Sequence, residues 1–433
     1  MPSHGARTDV DAPRPVGRLS LQRSDRRLAG ADRSTRESRP GKTLAAAYNP
    51  DGPEHLASTR LALVLEQQRE DRAFLSKLRG VGDADPIATP PDGAENDPAA
   101  EDTKGHSMRA LVIPKAGEPD VMQLVERPTP VPRAGEVAID VEYCGCNWAD
   151  TMMRRNTYPH PVSYPAAPGF EVSGHVRTVG EGVVGIREGD RVAAYLPTGG
   201  GYAETCITPA ECVIPLPPEM AADVAAAFPV QALTSYHLLH TVGQVEPGWI
   251  VLIHAIGGGV GLCCTQLTVK AGAVAIGTVG TSGKEKKALE FGATGVIDRG
   301  REDFLAACQE ASAGRGVDLV LDSVGAATLD RSFSALKILG HAVSYGEAEG
   351  RPFPNLWERL VPRSLTLTRF HLGHMDVHSH AWQAGLHHVL EGLAQGWLKM
   401  TIASRYPLDR AAAMHTHLES RQVSGKLLLA VRE

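Results

Sequence analysis

The stretch VLIHAIGGGVGLCCTQLTVKAGA, running from Val251 to Ala273, restricts what this chain can be more than any other. Residues 251–253 are apolar and largely β-branched, as in a strand buried on both faces, whereas residues 260–270 carry helical spacing. Gly257, Gly258 and Gly259 therefore stand at a strand-to-helix turn, where unpaired backbone N–H groups and the helix dipole suit a phosphate. Ala255, Gly258 and Gly261 fit an A-x-x-G-x-x-G variant of the dinucleotide fingerprint. The small first residue allows the tight turn, the first glycine lets a pyrophosphate approach the backbone, and the second permits close helix–strand packing.

The motif has the right surroundings. From Leu233 to about Thr368, strand-like segments (IVLIHA, VAIGTV, GVIDR, VDLVLDSVG, GHAVSYG) alternate with helical ones, which predicts a doubly wound parallel sheet over 233–369. From Met108 to about Val230 the pattern is short alternating strands between Pro and Gly turns, an all-β unit assigned to 108–232. Beyond Phe370 come a helix (380–395) and a strand, GKLLLAV. Residues 370–433 are expected to return to the first β unit, because the parallel sheet already has its strands.

Residues 1–107 differ in character. Up to about Lys42 the chain is Arg-, Ser-, Asp-, Pro- and Gly-rich, with too little apolar content to offset the entropy of ordering, so disorder is expected. Its acidic residues argue against a mitochondrial transit peptide. Leu61, Leu63, Leu65, Phe74 and Leu78 predict one amphipathic helix near 54–79, and a polar linker follows it.

With 433 residues, 42% hydrophobic, the chain can bury a large core. A net charge of −6 without an aromatic-interleaved basic patch argues against nucleic acid. No apolar run approaches the roughly 20 residues of a membrane span, so no membrane partner is expected. Seven cysteines, two of them adjacent in a predicted buried helix, suit a reducing, cytoplasmic compartment.

The end of the second strand separates the two nicotinamide cofactors. An NAD site places an acid roughly 20 residues past the glycines to hold the ribose 2′-OH. Here the sequence is GTVGTSGKEKK, with Gly280, Thr281, Ser282 and Lys284 before the first acid, Glu285. An ammonium and hydroxyls suit a 2′-phosphate, and NADPH is the expected cofactor.

HAIGGGVG, IGTVGTSGK, GATGVID, VDLVLDSVG, VSYG and YAE…PLP, in this order, resemble the quinone oxidoreductase branch of the zinc-independent medium-chain dehydrogenase/reductase superfamily. The resemblance covers Met108 to the C-terminus. It implies an α/β protein with a GroES-like β-barrel catalytic domain, closed by the C-terminal segment, beside a Rossmann domain. It further implies NADPH in the cleft between them, a homodimer joined through the Rossmann sheets, and a small-molecule quinone or enone substrate. Cofactor contacts are then expected from Ala255, Gly258, Gly259, Val260, Gly261, Gly280, Thr281, Ser282, Lys284, Val324 and Gly346, from Arg299 stacked where relatives often have an aromatic, and from the backbone of Phe370, His371 and Leu372.

Zinc-dependent relatives would supply a Cys and a His where this chain has Asn147 (NWAD) and Phe170 (GFE), and the four-cysteine structural lobe is missing; no metal is expected. His374 and His378 have i, i+4 spacing, but Gly373 and Asp376 predict a loop there. Without a metal, hydride transfer to an electron-poor acceptor needs donors for the developing oxyanion. Asn147 and Tyr158 stand at the family's positions for such groups, with the alternatives that Asn147 holds the nicotinamide ribose and Tyr158 caps the pocket. Met152 replaces a tyrosine common among quinone reductases. The alternatives for the whole chain are an enoyl-thioester reductase like those of polyketide synthases, with the 54–79 helix as its only carrier-docking candidate, and a non-catalytic NADPH-binding scaffold.

Overall fold

The computed structural model describes residues 107–348 and 355–432. The expected N-terminal disorder and the helix near 54–79 lie outside the described residues.

Six strands form a wholly parallel sheet in the spatial order Gly295–Asp298, Val274–Val279, Ile250–His254, Val317–Asp322, Leu336–Ser344 and Thr366–Arg369. In chain order this is 3-2-1-4-5-6. The order reverses beside Ile250–His254, and ligands of such sheets bind outside the carboxyl ends of the strands at that reversal. The glycine-rich segment emerges there. Ile250–His254 is buried along its whole length, and the helix after it, Gly259–Lys270, lays Leu262, Cys263, Cys264 and Leu267 onto the sheet. A continuous apolar run is what a strand covered on both faces requires.

The second sheet has seven strands. Ile402–Pro407, Lys426–Ala430, Glu136–Cys146, Glu171–Val179, Arg191–Tyr195 and Val213–Pro215 follow one another, and Thr205–Pro209 also pairs with Glu136–Cys146. Its C-terminal strand runs antiparallel to Glu136–Cys146, with Leu427 opposite Cys146 and Ala430 opposite Tyr143. The end of the chain thus completes the GroES-like sheet. Leu427 and Leu429 join Val137, Ile139, Val141 and Val172 in one apolar core.

Two helices depart from the expected partition. Ala222–Tyr236 crosses the expected 232/233 boundary: Ala226 and Ala227 pack on Leu428 of the second sheet, while Phe228 and Leu233 enter the core of Val251 and Ile253. A small-residue face lets this one helix lie against the second sheet and against the helix Gly259–Lys270 that covers the first. His380–Gln395 has the expected ends but does not rest on the β unit alone. Its Trp382 and Val389 pack into the core shared with Leu238, Leu239 and the parallel sheet, so the return to the second sheet begins only with Ile402–Pro407.

All seven cysteines are buried, unpaired thiols. Among the described residues, no helix is long and apolar enough to cross a membrane.

Candidate active site

A cavity of about 1010 Å³ runs between the two sheets. One wall is the glycine turn and the strand ends beyond it. Ala255 adopts φ 53°, a left-handed turn conformation that an alanine tolerates at some cost, and Gly258 caps the following helix. A Cβ on Gly261 would lie 2.5 Å from the Ala255 carbonyl oxygen, and one on Gly259 would lie 2.1 Å from the Gln231 side chain. Glycine at 261 is therefore a packing requirement against backbone, whereas at 259 a side chain would have to displace the Gln231 amide; both glycines leave the helix N-terminus open to the cavity. Ala255, Gly258, Gly259, Val260, Gly261, Gly280, Thr281, Lys284, Arg299, Val324, Gly346, Phe370, His371 and Leu372 all line this one space.

Ser282 does not. Its hydroxyl donates to Asp298, at the end of the next strand, and it is absent from the cavity wall. Its hydroxyl is thus engaged by a neighbouring carboxylate at the margin of the site. Lys284 reaches across to the C-terminal segment and donates to the Arg421 carbonyl at 3.1 Å. Burial, then the Arg421 guanidinium, lowers its ammonium below the usual lysine range. Arg299 donates to Thr328. Arg421 and Arg369 add two further cations to the wall, and neither was singled out by the sequence.

The opposite wall comes from the GroES-like sheet. The helix Trp148–Arg155 starts at Asn147, whose backbone N–H donates to Asp150 at 2.8 Å; the other Asp150 oxygen accepts from the Gly169 N–H at 2.8 Å. These bonds fix the Asn147 side chain against a buried ion pair. Its Nδ2 donates to Glu171 Oε1 at 2.8 Å, and its Oδ1 accepts from Lys426 Nζ at 2.7 Å. Lys426 and Glu171 are bonded directly, both side chains fully buried, and Glu171 Oε2 accepts the Val230 N–H at 2.7 Å. Sequence reasoning missed this pair, although the glutamate of GFE and the lysine of GKLLLAV sit in quoted motifs.

Tyr158 is 2.7 Å from Nε2 of His371 and stacks near Phe170, with ring centroids 6.1 Å apart. Burial, followed by the Asp150 charge, pushes the phenol up to about 12. Burial, then His160, His374 and Arg369, pulls the His371 imidazole down to about 4. Both groups are neutral near pH 7, so the phenol holds a proton it can donate as a hydrogen bond. His374 is drawn to His371 and His160, with ring centroids at 5.1 and 5.4 Å, rather than to His378, which pairs with Glu211 at 3.1 Å. The i, i+4 pairing weighed in the sequence is thus not formed. His160, on a distant loop, carries no local motif that could have revealed its place here.

The pattern described as "Alcohol dehydrogenase GroES-like domain" matches residues 133–218, and "Zinc-binding dehydrogenase" matches residues 259–391. The chain is 34% identical to a 2-haloacrylate reductase of a Burkholderia species, over 74% of this chain and 98% of that one. It is 36% identical to quinone oxidoreductase 1 of Escherichia coli, over 73% and 97%. The crystal structure of Escherichia coli quinone oxidoreductase complexed with NADPH superposes with a TM-score of 0.72 at 34% identity, covering 75% of this chain and all of that one. The sheet order, the cleft and these similarities together make this chain a member of the medium-chain dehydrogenase/reductase superfamily, in its quinone oxidoreductase-like branch.

Proposed function

We propose that this protein is an NADPH-dependent oxidoreductase that reduces a quinone or an α,β-unsaturated carbonyl in the cleft between its two sheets. The observation that carries the reading is the continuity of the cavity: a glycine-lined helix N-terminus with Lys284, Arg299 and Arg421 at one end, and Met152, Tyr158, Phe170 and Tyr195 at the other. The first set suits a phosphorylated dinucleotide. The second suits a flat, largely apolar acceptor with one oxygen to polarise. The NADPH complex of the Escherichia coli relative and the names of the two similar reductases support the same assignment.

Bound NADPH would supply the hydride. This chain's residues would then do three things. Gly258–Gly261 and the basic residues fix the dinucleotide; the backbone at Phe370–Leu372 and the Gln231 and Thr234 side chains bound the cleft beside it. The Tyr158 hydroxyl, held by His371, donates to the acceptor oxygen as negative charge develops there. Asn147, with its amide oxygen and one amide N–H committed to Lys426 and Glu171, serves as a rigid wall and not as the principal donor.

The reading assigns no step to zinc at the Asn147–Phe170 position, where zinc-dependent relatives supply a Cys and a His. An amide used at both ends, a phenyl ring at Phe170 and the Lys426 ammonium beside them do not fit a zinc ion, which takes thiolate, imidazole or carboxylate ligands. The seven unpaired thiols suit a cytoplasmic setting. A homodimer through the parallel-sheet domain is supported by exposed apolar residues near its last strands: Ile338 and Leu339 in the irregular part of Leu336–Ser344, and Trp357 in the helix Leu356–Leu360, which are 70, 72 and 78% exposed. Sedimentation should find a dimer, and a monomer at micromolar concentration would oppose it.

The test is the destination of the hydride. NADPH deuterated at its transferable position should leave deuterium on the β-carbon of a reduced enone. Deuterium lost to solvent would contradict direct transfer.

A further inference from the structure

His160, His371 and His374 come from two distant parts of the chain, and their ligating nitrogens all lie within 4.8 Å of one another. His160 follows Pro159 in the loop after Trp148–Arg155, while His371 caps the start of the short 3-10 turn Leu372–His374 and His374 ends it. The rings of His160 and His371 have centroids 4.3 Å apart. All three line the acceptor end of the cavity.

The hydrogen bonding around His371 leaves one ring nitrogen uncommitted, as it does for His237, His240, His388 and His415; what sets His371 apart is that two further histidines converge on it. Its Nε2 is engaged by the Tyr158 hydroxyl, whereas its Nδ1 is buried and has no hydrogen-bond partner among the described residues. In the tautomer with its proton on Nε2, His371 donates to the Tyr158 oxygen and Nδ1 presents its lone pair, the arrangement of metal-ligating histidines. Arg369, on the same wall, has its charge paired with Glu347 at 3.2 Å.

We propose that His160, His371 and His374 form a three-histidine site for a divalent late transition metal, with water in the remaining coordination position. Three nitrogens on one tetrahedral zinc stand about 3.3 Å apart, given Zn–N distances of about 2.0–2.1 Å. Rotation of exposed His374 and of His160 on its loop closes the set from the observed spacing. Three neutral imidazoles without a carboxylate or thiolate favour zinc, nickel or cobalt over magnesium or calcium. The site is separate from the Asn147–Phe170 position, and it does not rest on the proposed reductase reaction.

The experiment uses the untagged full chain, stripped with chelator and dialysed, titrated with Zn²⁺ by calorimetry and with Co²⁺ by visible absorption. The expected result is one Zn²⁺ per chain and the intense visible bands of tetrahedral Co²⁺. His160→Ala and His374→Ala should each weaken binding about tenfold or more, with unchanged thermal midpoints showing that the variants fold. His378→Ala, which removes an exposed histidine outside the cluster, should leave binding unaltered. Absence of stoichiometric binding, or binding undisturbed by both cluster variants, would overturn the proposal.

Discussion

Tyr158 and His371, 213 residues apart in sequence, meet with the phenolic oxygen 2.7 Å from Nε2. The tyrosine belongs to the GroES-like side of the cleft and the histidine to the segment leaving the parallel sheet, so their bond exists only when the two sheets are assembled around the cavity.

This bond makes Tyr158→Phe informative. Removing the hydroxyl should lower kcat for enone reduction by about a hundredfold, the scale of a positioned donor, while NADPH affinity stays the same. Steady-state kinetics and a fluorescence titration of NADPH separate the two effects. An unaltered kcat would assign the acceptor oxygen to another group.

Cofactor choice should rest on Lys284. Replacing it with Ala is expected to weaken NADPH binding by roughly 1–3 kcal/mol, as for a charge-assisted hydrogen bond, with NADH binding almost unaffected. Equal loss for both cofactors would mean that the lysine's bond to the Arg421 carbonyl, and not a 2′-phosphate, is what matters.

The buried Glu171–Lys426 pair should be costly to break singly. Glu171→Gln or Lys426→Met each leaves one charge uncompensated and should destabilise the fold by about 3–5 kcal/mol in chemical denaturation. The double replacement should cost less than the sum of the two. Additive losses would show that the pair is not coupled.

Acid should unfold the protein through its buried histidines. His254 lies between Thr278 and Ser332, at 2.8 Å from each, and burial, then Arg299, lowers its imidazole to about 3. His415, beside Tyr202 at 3.2 Å, is lowered to about 3 by burial and then by Arg154 and Arg155. Since the unfolded chain binds these protons near pH 6.5 and the folded chain does not, stability is fully present above about pH 6.5. It is lost as pH falls toward about 3, at up to about 1.4 kcal/mol per pH unit for each histidine. His254→Gln should flatten the dependence of the unfolding free energy on pH in that window. An unchanged slope would show that His254 does not supply this linkage.

The dinucleotide wall was legible because its chemistry is local. The turn from Ala255 to Gly261 and the absence of an acid before Lys284 can be read along one strand–turn–helix unit, and all the fingerprint residues line the cavity. The partner of Ser282, Asp298, was not legible because it comes from the next strand. The acceptor wall was less legible. Lys426 reaches Glu171 through the pairing of the last strand with Glu136–Cys146, and His160 reaches His371 across the cleft; no periodicity records either approach. The helix Ala222–Tyr236 escaped a domain boundary for a similar reason, since its small residues serve two cores at once.

The most direct measurement is NADPH consumption by the purified full chain against a panel of acceptors: a quinone, an alkenal, an enoyl thioester and a saturated ketone. The account predicts turnover with the quinone or the alkenal, none with the saturated ketone, a marked preference for NADPH over NADH, and undiminished rates after exhaustive chelation. Turnover confined to the thioester would move the assignment to an enoyl-thioester reductase. NADPH binding without turnover of any acceptor would contradict the enzymatic reading.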